Sequence, residues 1–580
     1  MIRTSSFLPS LPGLLLLIAA LPVLGQAGTA SIVIHGADDL LGDNIRNHLR
    51  IDREACDTPL ARLERLRTQV SGNVTRAGQA LGYYRLEHTM QFTRDENCWQ
   101  LQLDITPGER MLVSEVSIRL PGDAENIKIF GEVLADLPAM EGQPLHHGEY
   151  ESVKNALSAA AVENGFFAAR FERAELRVDL TAYAATIEMQ FAPGVRYTFG
   201  DISVAPVPGF SEAFVRGMIL LEPGLPYSSA ALLEQRTQLD DTQFFRQITI
   251  TPELAGTNDQ TVPVSIELIP RLRHAWSTGI GFTTDTGPRV RAAYENRYIN
   301  TRGHHLDSDF AVSSVRSQVN MGYVIPMDDP LTTNLNFNTG YITEKTDTYD
   351  SNRFKLETAY RRESASGWLE TYSVDYLRDD YIIDQQEDNS TLTMLGYSLS
   401  KTVTNDFIFP TRGWRLFGQV RGASEGLMSD TTFVQLSVSG KGVLDFGPGR
   451  FVTRFEMGTT WNDDVQELPV SVRYFAGGDQ SIRGYKYQSL GPTNENDEVI
   501  GGKHLLVGSV EYDFQVRNNW RAALFYDGGN AFASQEFDWT QSVGIGVRWL
   551  SPIGPIRADI AHALSDEGGF RLHITMGPDL

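Results

Sequence analysis

The sequence predicts three small α+β repeats in tandem followed by a transmembrane antiparallel β-barrel of about 16 strands. Three observations predict it. A double-aromatic landmark recurs at a period of about eighty residues up to Arg271. Beyond Arg271 helical periodicity gives way to short runs in which apolar and polar residues alternate. No run after the N-terminal segment approaches the ~20 apolar residues that a membrane helix needs.

Taken in chain order, residues 1–27 read as a secretory signal. Arg3 precedes the apolar run Leu14–Leu21, and small residues at Gly25 and Ala27 offer a cleavage site. An exported chain meets an oxidising compartment, where Cys56 and Cys98, its two cysteines, would pair. Neither has the CxxC or His spacing of a zinc site, and no metal is expected.

The repeats occupy 28–108, 109–194 and 195–271. Their landmarks are Gly82-Tyr83-Tyr84, Gly165-Phe166-Phe167 and Phe244-Phe245. Each is followed by two alternating segments, the second being Trp99–Ile105, Ala185–Phe191 and Val262–Leu268, closed by Pro107-Gly108, Pro193-Gly194 and Pro270. New strands restart at Val113–Ile118 and Tyr197–Ile202. Helical spacing joins Leu60, Leu63, Leu66 and Val70, and again Tyr150, Val153, Leu157 and Ala161. Each unit therefore reads strand, helix, helix, strand, strand.

Residues 272–580 alternate differently. Leu335, Phe337 and Tyr341 are interleaved with Asn334, Asn336 and Asn338, and Phe570, Leu572, Ile574 and Met576 with Arg571, His573 and Thr575. Such alternation fits a sandwich with one wet face as well as a barrel with a wet lumen. The export signal and the strand-plus-connection length of about 19 residues favour the barrel, which alone satisfies every backbone group in lipid without helices.

Net charge of −23 without a basic run excludes nucleic-acid binding. Catalytic patterns are lacking. Gly422-Ala423-Ser424-Glu425-Gly426 matches a nucleophile elbow in letters, but a strand and not a helix follows it. His146-His147 and His304-His305 lack a third ligand and read as solvated loop residues. Neither an enzyme nor a cofactor is expected.

The unusual stretch is Arg473–Tyr485, too rich in glycine and charge for a spanning strand. Downstream, Glu511 and Asp527 stand at positions that could face a lumen, where an arginine would find bidentate carboxylate partners. Ile482-Arg483-Gly484-Tyr485 and Phe525-Tyr526-Asp527-Gly528-Gly529 resemble the loop-6 and strand motifs of the BamA-type outer-membrane assembly factors. Pro410-Thr411-Arg412-Gly413 and, more loosely, Asn300-Thr301-Arg302-Gly303 resemble their recurring turn, and the repeats resemble POTRA domains. Three such domains resemble the TamA branch of that superfamily, as do Gly279–Val290 and the terminal Gly577-Pro578-Asp579-Leu580.

The resemblance implies an outer-membrane barrel of a Gram-negative bacterium with a periplasmic POTRA arm. It implies a lumenal lock of Arg483, Gly484 and Tyr485 with Asp527 and Glu511. Further implications are a TamB-like inner-membrane-anchored partner, unfolded outer-membrane protein and autotransporter clients, and contact with outer-membrane lipid. A two-partner-type secretion pore or a lipid conduit is the competing expectation. Closure would pair a first strand near Trp276–Phe282 with a last near Phe570–Met576. Gly279, Gly281 and the following Gly577-Pro578 should weaken that seam, which Leu572 and Ile574 also line.

Overall fold

The computed structural model describes residues 30–576, apart from 52–53, 95–97, 138, 255–258, 384–385, 534–536, 552–553 and 566–568. The signal at 1–27 and the C-terminal residues from Gly577 onward lie outside the described residues. Two compact units divide the chain near Thr198.

In the first unit, β1 (Ser31–His35), α1 (Asp39–His48), α2 (Leu60–Arg65), α3 (Arg67–Ala80), β2 (Glu87–Arg94) and β3 (Trp99–Thr106) make one domain with sheet order β1-β3-β2. Alternation explains β3, which buries Trp99, Leu101, Leu103 and Ile105 under the helices. The helices answer with Leu41, Ile45, Leu63, Val70, Val74 and Ala77. Asp38 caps α1 by accepting from the Leu41 amide at 2.8 Å. Leu60, read as part of the apolar stripe, is 40% exposed, because the helix breaks at Leu66 and only Leu63 of the first piece reaches the core.

A second domain repeats the plan with β4 (Leu112–Arg119), α4 (Ala124–Ala135), α5 (His147–Glu163), β5 (Arg170–Asp179) and β6 (Ala184–Ala192), in sheet order β4-β6-β5. The double aromatics divide their labour. Phe166 fills its own core, whereas Phe167 meets Tyr197 and Tyr227 at ring separations of 5.3 and 5.0 Å. Likewise Tyr83 packs on its own core and the Tyr84 hydroxyl meets His147 Nε2 at 2.8 Å. His147 is therefore the first residue of a helix and not a solvated loop residue.

Cys56 and Cys98 are joined, closing a loop across 42 positions. Loop closure of that length restricts the unfolded chain by about 4 kcal/mol in the chain-entropy account. Reduction is expected to cost the first domain that order of stability. The check is hydrogen exchange at the β3 amides with and without reductant: protection factors there should fall while those of β6 hold.

The second unit starts with β7 (Thr198–Val204), α6 (Glu212–Arg216), α7 (Ser229–Asp241), β8 (Phe245–Pro252) and β9 (Thr261–Pro270), in sheet order β7-β9-β8. This domain is fastened to the barrel that follows it. The Ser211 amide donates to the Thr301 carbonyl at 2.8 Å, and Phe210 lies 4.8 Å from Tyr298. Phe244 packs on His305, and the His304 ring bonds the Tyr323 hydroxyl at 2.8 Å, so this histidine pair too is structural and not solvated loop.

The barrel is one 16-stranded sheet running from β10 (His274–Thr283) and β11 (Gly287–Asn296) to β25 (Phe570–Met576), every strand antiparallel to the next. Pleating sets the alternating residues on opposite faces. Phe337, Tyr341, Val434, Phe455, Met457, Phe570 and Leu572 face outward, where lipid replaces water. Asn336, Gln435, Asp527 and His573 turn inward and are at most 3% exposed. The element that matches the nucleophile elbow in letters is a short 3-10 turn at Glu425–Leu427 between two strands.

Candidate functional site

Between β20 (Gly449–Trp461) and β21 (His504–Arg517) the chain makes its longest connection and folds it back into the lumen. Arg473 ties the base of this loop by donating to the carbonyls of Leu468, Gln466 and Ile500 at 2.7–3.0 Å. Paired backbone bridges at Tyr474–Gly502 and Ala476–Leu490 continue it. Ile482, fully buried, anchors the tip on Leu505, Val507 and Ala531. Gly484 has φ +96°, and a Cβ there would sit 3.2 Å from the Ala563 amide nitrogen, so a side chain would strain the backbone and push the loop off the wall.

The anchored tip delivers Arg483 to a cluster of carboxylates from β21, β22 (Trp520–Phe532) and β24 (Gly554–Ala563). Asp527 accepts a fork of two bonds from the guanidinium at 2.8 and 2.9 Å, and a third from the Arg483 amide at 3.0 Å. Glu511 and Asp559 accept from Nη1 at 2.8 and 3.0 Å, and Ser509 Oγ from Nη2 at 3.3 Å. Phe525 closes one face of the guanidinium, 3.4 Å from its ring centre. Burial opposes the charge of Arg483, but Asp527, then Glu511 and Asp559, outweigh it and raise its pKa above the ordinary arginine value.

Arg548 of β23 (Thr540–Ser551) balances the surplus acid, binding Glu511 Oε1 at 2.7 Å and also Asp559. Two arginines thus face three carboxylates, with Arg454 bonded to the Ser481 carbonyl beside them. The paired charges hold the loop tip against the barrel wall. Tyr485 points elsewhere, donating to the Gln541 carbonyl at 3.2 Å.

The two ends of the sheet meet next to this lock. The Thr284 amide donates to the Ile574 carbonyl at 3.3 Å, and the Ile574 amide to Thr284 Oγ1 at 3.2 Å. Among the described residues no ladder continues along Trp276–Phe282, where the sequence puts the closing strand; contact falls just past the end of β10 instead. The described part of β25 is 7 residues long and meets the end of β10 remote from the third domain. Nothing lies within 4 Å of a Cβ built at Gly279 or Gly281. A groove at the seam is lined by Ile280, Phe282 and Met576 among others.

Sequence reading singled out Arg483, Asp527 and Glu511, which stand together, but missed Ser509, Arg548 and Asp559. One of them carried a signal: Arg548 is the single charge of the apolar stretch Val547–Leu550, whereas Asp559 shares Ile556–Ile560 with Arg557. The recurring turns are also held from behind. Asn405 Oδ1 accepts from the Thr411 and Arg412 amides, and Asn300 Oδ1 from the Arg302 amide, so each turn is closed by an asparagine upstream.

Comparison with known proteins agrees with this architecture. A model of the Omp85 superfamily domain matches residues 266–578, and one of the POTRA domain TamA domain 1 matches 31–107. The outer membrane protein assembly factor BamA of Nitratidesulfovibrio vulgaris is 26% identical over 368 residues, 59% of this chain and 45% of the relative. Its counterpart in Neorickettsia risticii is 22% identical over 441 residues, 68% of this chain and 55% of the relative. The chain therefore spans about half the length of these curated relatives. The crystal structure of BamA from Haemophilus ducreyi lacking POTRA domains 1-3 shares the fold with a TM-score of 0.62 at 17% identity, covering 80% of this chain and 99% of that one.

Proposed function

Because this chain belongs to the Omp85 superfamily, with its barrel in the outer membrane and its repeat domains in the periplasm, we propose that it assembles other outer-membrane proteins by accepting their strands at its own seam. The observation that carries the reading is the join of β10 to β25, which among the described residues rests on two hydrogen bonds between Thr284 and Ile574 at one end of a 16-stranded sheet. Among the described residues no strand pairs with the β10 edge below it, and a client strand adding to the sheet there would satisfy the edge's N–H and C=O groups. The clients are unfolded outer-membrane and autotransporter β-domains, and the groove beside Ile280 and Phe282 opens their path into outer-membrane lipid. No chemical step and no cofactor enter this reading.

The test is the full chain in lipid vesicles with an unfolded outer-membrane barrel added. Insertion is expected to run well above the rate in empty vesicles, and equal rates would refute the reading. A secretion pore would instead pass substrate through the lumen, which the loop tip held by Arg483 now fills. Low single-channel conductance is expected, rising when the loop is cut.

The repeat arm supplies a docking surface for a TamB-like partner. In each domain one sheet edge is an antiparallel strand, β2, β5 or β8, which another chain's strand can extend. A fragment of residues 28–271 is expected to bind the β-rich partner without the barrel. Calorimetry at micromolar concentration checks this, and a folded fragment that releases no heat would count against it.

A further inference from the structure

The described lock does not use Asp479, and its surroundings are unusual. Three elements converge there: the turn between β10 and β11, the lumenal loop, and β25. Asp285 of the turn, Asp479 of the loop and His573 of the strand set one polar atom each within 4.8 Å of one another. Asp479 is only 7% exposed. Its Oδ1 accepts from Thr284 Oγ1 at 2.9 Å and is bonded by His573 Nδ1. Its amide donates to Asp285 Oδ2 at 2.6 Å. A Cβ at Gly478 would fall 2.5 Å from that same Asp285 oxygen, so the close approach of turn and loop requires the glycine.

One atom is left over. Among the described residues Asp479 Oδ2 is buried without a hydrogen-bond partner, and the carboxyl that faces it is that of Asp285. Two facing carboxylates repel unless something with a positive charge lies between them. The histidine narrows the choice. Its Nε2 accepts from the Gly484 amide at 2.9 Å, which puts the ring proton on Nδ1, aimed at Asp479. Neither nitrogen keeps a free lone pair for a metal ion, and a further proton on Nε2 would confront the Gly484 N–H. The next proton therefore belongs to the carboxyl pair.

We propose that one proton shared between Asp285 and Asp479 bolts the seam, joining the first hairpin through the loop to His573 of the last strand, and that loss of this proton loosens the join. The inference rests on the seam being the part of the barrel that opens. Burial, then the charge of Asp479, pushes the Asp285 carboxyl up to about 6. A raised carboxyl pKa favours the closed join at low pH, and that contribution is lost as pH rises through about 6.

Other charged groups face the cluster from both sides. Lys345, Lys486 and Arg571 line the opening on the turn side, and Lys441, Arg454 and Arg557 that on the loop side. Asp347 is paired with Lys486 at 2.8 Å, and Asp559 with Arg483 at 3.0 Å. Burial pushes the Tyr487 hydroxyl up, away from neutral pH.

Spin labels at Ile280 of β10 and Ile560 of β24, both lipid-facing, read the gap in the full chain in lipid vesicles without client. Between about pH 5 and about pH 7.5 the open-to-closed ratio should rise about tenfold, the effect of one proton bound near pH 6. Asp285→Asn, whose amide donates permanently, should hold the short distance at both pH values, as should Asp479→Asn. A gap that ignores pH in the unsubstituted chain, or a pH response that survives Asp285→Asn, overturns the proposal. So does a gap that widens on adding EDTA at pH 7.5, which would make the cluster a cation site. Because no client is present, each of these outcomes leaves the assembly reading standing, and a failure of client insertion leaves the bolt standing.

Discussion

Arg483→Ala is expected to destabilise the barrel by about 3–5 kcal/mol, because it strands carboxylates that the fold has already buried. Asp527 is fully buried and loses the forked guanidinium pair, keeping the amide of residue 483 and Ser509 Oγ, while Glu511 and Asp559 are left with Arg548. The loop tip would be loosened from the wall, losing its strongest tie and keeping Ile482 in its apolar seat and neutral contacts such as that of the Gly484 amide with His573. Arg412→Ala is the matched control. Its side chain is 73% exposed and lies 3.5 Å from Asp445, so its loss should stay within about 0.5 kcal/mol. Arg483→Lys should fall nearer to alanine than to the native residue, because an ammonium cannot make the forked contact with Asp527. Urea midpoints of the barrel in vesicles measure all three. Equal midpoints for Arg483→Ala and Arg412→Ala would sink the claim that the lock holds the loop.

The second large effect concerns the seam. The Thr284–Ile574 contact sets an antiparallel register in which Phe282 faces Met576, and both line the groove. Cysteines at these two positions should form a bond on oxidation, and client insertion should then fall at least about tenfold, equivalent to about 1.4 kcal/mol on the rate-limiting barrier. Reductant should restore it. Complete bond formation with an unchanged insertion rate would show that strands do not enter here. The same pair in reduced form controls for the loss of Phe282 itself.

Much of this molecule is legible in one dimension because its signals are local. The pleat alternates side chains at every second residue, so Phe455 and Met457 announce the lipid face and Arg454 and Glu456 the lumen without reference to any neighbour. Landmarks such as Phe166-Phe167 repeat because each domain needs one ring for its own core and one for the segment that follows. Arg483, Asp527 and Glu511 were nameable through motifs, although their separation in sequence says nothing about contact.

Tertiary structure alone decided the rest. Asp559 and Arg548 join the lock because closure brings β23 and β24 opposite a loop inserted from elsewhere, a relation that no local pattern encodes. His573 looked like one more polar residue of an alternating strand. Its role follows from the curl of the sheet, which carries β25 to the turn after β10 and places Asp479, 94 residues upstream, between them. The histidine pairs misled for the same reason, since His147 and His305 are claimed by aromatic rings distant in sequence. Alternation, determined by the sequence itself, specifies which face a side chain occupies. Only the register and closure of the whole sheet decide which side chains meet there, because those depend on hydrogen bonds between segments that the chain brings together last.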